Sequence, residues 1–285
     1  MKKRAKFMLT AELTKKIEDF VYAKPRSIQE VAELLKKNWR TADRYIAQIE
    51  KDFGTITTRI FREGTRGALK VVYWAAVEKV SHSIIQQKLE EALMQAKKKE
   101  DFSAFDMYQY IPESKKTVSL ESGTEEGEKN VEELAKYLRE AKKQVLIFSG
   151  NLSLVNLKRK HADLFQCLEE VAKRKIPIKI LARVDIAGKD NVEKALSLNF
   201  KYGKEMIEIH HREQPLRAFI IDNAVIRVKE VSEPTGKINE LNKRMFLYYT
   251  IKDKEWIEWL TRIFWKMFST AITAEKRLEE MRRIL

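Results

Sequence analysis

Residues Ser27 to Gly54 read SIQEVAELLKKNWRTADRYIAQIEKDFG, and the fold of the N-terminal quarter is decided here. Ser27 followed three residues later by Glu30 is a capping box, after which Ile28, Val31, Ala32, Leu34 and Leu35 recur at helical spacing. This helix ends near Lys36. Asn38 can cap a second helix, whose apolar set of Ala42, Ile46, Ile49 and Phe53 falls on one face while Arg40, Thr41 and Arg44 lie on the other. Two short helices joined by a turn of about four residues make a helix-turn-helix, whose second helix can lay its first turns against base edges in a major groove. A helical hairpin with a solvated basic face would show the same pattern.

The flanking sequence narrows the choice. Thr55 to Arg62 (TITTRIFR) and Ala68 to Trp74 (ALKVVYW) are rich in β-branched and aromatic residues, and Glu63 to Gly67 (EGTRG) reads as a hairpin loop between them. Leu9 to Ala23, with Leu13, Ile17, Phe20 and Val21 on one face, is a preceding helix that Lys24-Pro25 breaks. Three helices and a hairpin in this order are expected to form a winged helix. Its run Asn38-Trp39-Arg40-Thr41-Ala42-Asp43-Arg44 resembles the winged helix-turn-helix heads of prokaryotic transcription regulators. Arg40, Thr41 and Arg44 are then the candidates for base contacts, because guanidinium groups reach guanine O6 and N7 and a threonine serves a phosphate or a thymine methyl. Lys36, Lys37, Arg59, Arg62, Arg66 and Lys70 are the candidates for the phosphate backbone. Such heads also bind protein or RNA.

Charge points toward a polyanion. The 285 residues carry a formal net charge of +14; residues 1–75 hold 17 Lys plus Arg against 9 Asp plus Glu, so the quarter with the motif carries more than half of the excess. The single cysteine, Cys167, excludes an intramolecular disulfide and a cysteine-based zinc finger within one chain. No run of 18 apolar residues and no signal-peptide pattern occurs, so a cytoplasmic protein with no membrane association is expected. No cofactor and no metal site is expected either: the neighbouring His210 and His211 offer only two ligands.

Residues 75–99 (AAVEKVSHSIIQQKLEEALMQAKKK) contain neither Gly nor Pro and carry an apolar stripe of Val77, Val80, Ile84, Ile85, Leu89, Ala92 and Leu93. They read as a linker helix that pairs with its twin in a homodimer or packs on its own chain. Residues 101–120 hold packed aromatics of no clear pattern, and Glu121 to Lys129 (ESGTEEGEK) reads as a boundary. Three parts are therefore expected: 1–75, a DNA-binding head; 76–128, a linker or dimerisation segment; and 129–285, an effector or dimerisation domain.

From Asn130 the grammar alternates. Helices are expected at Val131–Lys142, Lys160–Lys173 and Asn191–Asn199, and strands at Gln144–Ser149, Ile176–Ala182, Met206–His210, Arg217–Asp222, Ala224–Lys229 and Met245–Ile251, before a long helix from Lys254. This is an α/β layered domain around a largely buried sheet. Its strand running into Ser149-Gly150-Asn151-Leu152, the strand Arg217-Ala218-Phe219-Ile220-Ile221-Asp222, and the closing pair Phe246-Leu247-Tyr248-Tyr249 and Phe264-Trp265-Lys266-Met267-Phe268 resemble the phospholipase D-like effector half of TrmB-type regulators, which are common in archaea.

That resemblance implies a lost activity. The family's enzymes use His-x-Lys-x-x-x-x-Asp, with the histidine attacking phosphorus and the lysine steadying the negative charge. The matching run here is Pro215-Leu216-Arg217-Ala218-Phe219-Ile220-Ile221-Asp222, and proline has no nucleophile. Arg217 and Asp222 are expected either as a structural ion pair or, with Asn151 and His210, as the lining of a pocket for an effector of unknown identity. The expected whole is a non-catalytic, dimeric, site-specific regulator of double-stranded DNA. A sequence-tolerant architectural protein, a protein adaptor and a phosphodiesterase are the alternatives.

Overall fold

The computed structural model describes residues 9–52, 55–62, 68–74, 82–123, 126–203, 205–234 and 243–284. The chain forms two compact units, Met1–Ser81 with Glu233–Lys243 and His82–Ser232 with Arg244–Leu285. The expected wing loop, including Arg66, and residues 75–81 of the expected linker helix lie outside the described residues.

In the first unit, α1 (Ala11–Ala23) starts where the Thr10 hydroxyl accepts from Leu13 N–H. A two-residue strand, β1 (Arg26–Ser27), leads into α2 (Ile28–Leu35), whose capping box is complete: Ser27 Oγ accepts from Glu30 N–H, and the Glu30 carboxylate accepts from Ser27 N–H at 2.7 Å. Lys36 ends α2 in the left-handed region at φ 52°, its N–H returning to the last turn. Asn38 Oδ1 then accepts from Thr41 N–H at 2.9 Å and starts α3 (Trp39–Asp52). β2 (Ile56–Arg62) and β3 (Ala68–Trp74) pair antiparallel, and β1 joins the free side of β3. Ile17, Val31, Ala42, Ile46, Ile49, Ile56 and Val72 close the core, each fully buried. The apolar periodicity of all three helices and the alternation in the two strands thus converge on one interior.

The second unit is mixed α/β around one large sheet. After α4 (His82–Gln95), α5 (Ala104–Tyr108), β4 (Lys116–Ser122) and α6 (Glu128–Glu140) come β5 (Val145–Ser149), the short pair β6 (Lys158–Arg159) and β7 (Ala162–Asp163), and α7 (Leu164–Lys173). Next are β8 (Ile178–Ala182), α8 (Lys189–Tyr202), β9 (Ile207–His211), β10 (Ala218–Ile221), β11 (Val225–Ser232) and β12 (Met245–Ile251). The chain closes with α9 (Lys254–Ser269), β13 (Ile272–Thr273) and α10 (Ala274–Ile284). The eight strands run in the order β13-β9-β8-β5-β10-β11-β12-β4, parallel only at β9-β8 and β8-β5.

Alternation along β5 shows how the sheet is covered on both faces. Val145 and Ile147 join the core beneath α6, α7, α8 and α10, whereas Phe148 meets Phe264 of α9 edge-on at 5.1 Å. Trp256, Trp259, Ile263 and Met267 of α9 are each at most 1% exposed. The apolar stripe of this helix is therefore consumed within its own unit.

Three expectations are corrected. Residues 82–122, read as linker, are built into the second unit: β4 forms seven register pairs with β12, and Trp259 Nε1 donates to Gln86 O of α4 at 3.1 Å. The helix drawn from Lys160 begins only at Leu164, because Asp163 caps it through Gln166 N–H and the preceding residues form the β6-β7 hairpin. The C-terminal helix is interrupted at Thr270, where β13 adds to the sheet edge, and α10 then buries Ala274, Leu278 and Met281.

Candidate nucleic-acid interface and effector cavity

In the first unit, the inward face of α3 is fixed by Ala42, Tyr45, Ile46 and Ile49. Arg40 and Arg44, one turn apart on the outer face, are exposed. The Arg44 guanidinium makes no ion pair or hydrogen bond among the described residues, and Arg40 meets only the Trp39 ring, at 5.5 Å. Lys36 and Lys37, in the turn before α3, are exposed and without a side-chain partner among the described residues.

Not every expected contact stands so free. The Thr41 hydroxyl donates to Asn38 Oδ1 at 3.1 Å, so its proton is used in capping α3. Lys70 is paired with Asp43 at 2.5 Å. Arg59 lies half-buried over Phe61. Arg62 ends β2, and Arg66 lies outside the described residues.

In the second unit, the four expected pocket residues separate into two pairs. Asn151 and Arg217 line the same cavity, of about 250 Å³, beside the C-terminal end of β5. Asp222 sits at the far end of β10, where its carboxylate accepts from the backbone N–H groups of Lys142, Lys143 and Gln144. It neither pairs with Arg217 nor faces the cavity. Asp222 and Asn223 both take positive φ, 56° and 54°, as the β10-β11 hairpin loop requires. His210 stacks on Phe268 at 3.8 Å and contacts Phe268 O and Glu208 through its ring nitrogens, so it too leaves the pocket.

His211, on the opposite face of β9, accepts from Val184 N–H at Nδ1. Burial, then the nearby Arg277, pushes its pKa below the ordinary 6.5. Two histidines held in different environments do not form a shared metal site. Among the described residues, one other set could hold a metal ion: Glu128, Glu132 and His161, with ligand atoms within 4.8 Å of one another. Its members are exposed or half-buried side chains at the start of α6 and in the β6-β7 turn, and no role is assigned to it.

The approach to β10 explains what occupies the place of the expected motif. Gln214, Pro215 and Leu216 are buried; Gln214 Nε2 donates to Ser149 O at 3.0 Å, and Leu216 N–H donates back to Gln214 Oε1. Packing and hydrogen bonding hold this loop, with no histidine or cysteine among the residues that line the cavity.

Sequence reasoning missed the deeper wall. Arg227, only 5% exposed, donates to Glu133 at 2.9 Å, to Thr250 at 2.5 Å and to Asn130 at 3.1 Å. Lys229 pairs with Glu126, which also accepts from the Tyr248 hydroxyl at 3.4 Å. Burial first, then Glu126, pushes the Tyr248 pKa up. The available signal was Arg227 within the apolar run Val225-Ile226-Arg227-Val228, since a cation inside a buried strand requires partners.

No protein-family model matches this chain, and no curated protein does. Among solved structures, the chain is similar over 55% of its length to two proteins. One is NucT from Helicobacter pylori, at 16% identity, TM-score 0.38 and 99% of that chain covered; the other is Nuc, a phospholipase D family member from Salmonella typhimurium, at 12%, 0.39 and 97%. Over 92% of its length it is similar to TrmBL2, described as an archaeal chromatin protein with a novel mode of DNA binding, at 15% identity, TM-score 0.37 and 93% of that chain covered. Superpositions this loose do not carry function from one chain to another. No helix among the described residues is long and apolar enough to cross a membrane.

Proposed function

We propose that this chain is a site-specific regulator that binds double-stranded DNA through its first unit, which we read as a winged helix, and that acts as a homodimer. The observation that carries the reading is the pair Arg40 and Arg44, exposed one turn apart at the start of α3 and free of acidic partners among the described residues. A protein that gained nothing from these charges could hold them in surface ion pairs, as it does Lys70 with Asp43. Leaving two guanidinium groups unpaired at the first turns of a second helix suits the forked donors of guanine recognition, while Lys36 and Lys37 supply phosphate contacts at the turn.

The second unit is read as a phospholipase D-like domain without catalysis, because Pro215 stands where the motif it resembles has its nucleophile. Its work is then regulatory, through dimerisation or an effector.

Selection of bound fragments from a random DNA pool, followed by affinity measurements across a salt series, tests the reading. The expected outcome is a two-fold-symmetric motif bound at least ~10³ tighter than scrambled DNA. Uniform binding that weakens steeply with salt would replace it with an architectural role. Absence of binding at low salt would remove DNA as the partner altogether.

A further inference from the structure

The cavity beside β5 has a lining of two unlike kinds. Val131 and Leu134 of α6, Leu154 and Leu157 after β5, and Phe219 of β10 are apolar. With them stand three cations, Arg217, Arg227 and Lys229, against one carboxylate, Glu126. Two of the three cations are already engaged: Arg227 by Glu133, Thr250 and Asn130, and Lys229 by Glu126. The third is not. Among the described residues the half-buried Arg217 guanidinium makes neither an ion pair nor a hydrogen bond.

Arg217, with Gly150 and Asn151, also borders a second hollow of about 390 Å³, whose wall carries Lys97, Lys98, Lys99 and Arg183 against Glu100 and Glu213. The positive excess therefore continues on that side. A Cβ added at Gly150 would meet nothing within 4 Å, so the strand end leaves open space beside this arginine. The location is the carboxyl end of a parallel strand pair, where open α/β sheets accommodate ligands.

We propose that this cavity binds a small amphipathic anion, a short-chain carboxylate, with its head on Arg217 and its body against the apolar lining residues. An unpartnered guanidinium next to low-dielectric wall gains most from a carboxylate, which it can grip with two parallel hydrogen bonds. The apolar lining selects a ligand with a hydrocarbon body over a bare ion. At about 250 Å³ the space falls below the ~300–1,000 Å³ of sites for drug-sized ligands, so the body is short.

The proposal stands on the second unit alone, and neither it nor its failure depends on DNA binding. Isothermal titration calorimetry on the full chain, with hexanoate, acetate and hexanol as probes, tests it. Hexanoate should bind saturably, and acetate, which lacks the body, and hexanol, which lacks the charge, should each bind roughly tenfold or more weaker. Arg217→Gln should weaken hexanoate by a similar factor, while Arg217→Lys, which keeps the charge but loses the paired donors, should fall between Arg217→Gln and the unmodified chain. Absence of saturable hexanoate binding, or hexanol binding as tightly as hexanoate, overturns the proposal. So does hexanoate affinity unchanged in Arg217→Gln, and if that variant does not fold the three-probe comparison on the unmodified chain decides.

Discussion

Arg44 and Arg227 are the same side chain put to opposite uses. Arg44 stands exposed on α3 with no acid beside it among the described residues, whereas Arg227, in strand β11, is 5% exposed and donates to Glu133 and Asn130 of α6 and Thr250 of β12. An arginine in water keeps its hydration and loses little by waiting for a partner; one inside a sheet must have its partners in place or the fold loses them. What a basic residue does is therefore decided by burial and pairing, and net charge alone does not separate the two roles. Arg40 and Arg44 are held outward without acidic partners among the described residues, and Arg227 is held inward by three.

The sharpest way to break this comparison is to remove the outward pair. Arg40→Ala with Arg44→Ala should cost about 1–3 kcal/mol of DNA affinity for each guanidinium lost, read by titration of the selected site, while the free energy of unfolding changes by no more than about 0.5 kcal/mol. A large loss of stability would mean that these arginines are structural after all. The inward residue should behave in reverse: Arg227→Ala should lower the stability of the second unit by about 3 kcal/mol in urea unfolding, because Glu133, Asn130 and Thr250 lose their shared donor. DNA affinity of the folded fraction should not change.

A smaller effect tests the support of the outward face. Asn38→Ala removes the acceptor for Thr41 N–H and should cost about 1 kcal/mol, measured by thermal unfolding of the first unit. The smallest concerns pH. Because the His211 pKa is pushed below 6.5 by burial and then Arg277, the folded form binds fewer protons than the unfolded one. Stability from this residue is thus complete above pH 6.5 and is lost as pH falls below it. His211→Asn, whose side-chain oxygen can still accept from Val184 N–H, should flatten the pH dependence of urea midpoints across that window; an unchanged slope would assign the dependence elsewhere.

These residues also show what was legible in the sequence. Ser27 with Glu30 and Asn38 with Thr41 mark helix starts through bonds three residues apart, so α2 and α3 could be read from a short window. The apolar runs of β5, β8 and β12 announced a buried sheet for the same reason. β4 could not be read this way, since Lys116 to Ser122 is stabilised by pairing with Met245 to Ile251 and its own pattern is weak. Asp222 misled because a motif suggested chemistry, although Asp-Asn between two apolar runs is itself a hairpin signal. Arg217 and Asn151 were placed together by their expected positions at strand ends, but the pairings that occupy Arg227 and Lys229 come from α6 and the segment before it, at distances in sequence that no local pattern reveals.

The pairing of β4 with β12 also sets a timetable. The two strands are separated by on the order of 130 residues, so at roughly 5–20 residues per second a ribosome needs on the order of ten seconds to make the second after the first. Throughout that interval β4 has no sheet to join, and loop-closure entropy makes the eventual pairing a late step. The second unit can mature only after β12 has been made, whereas β2 and β3, neighbours in the chain, can pair as soon as both have emerged.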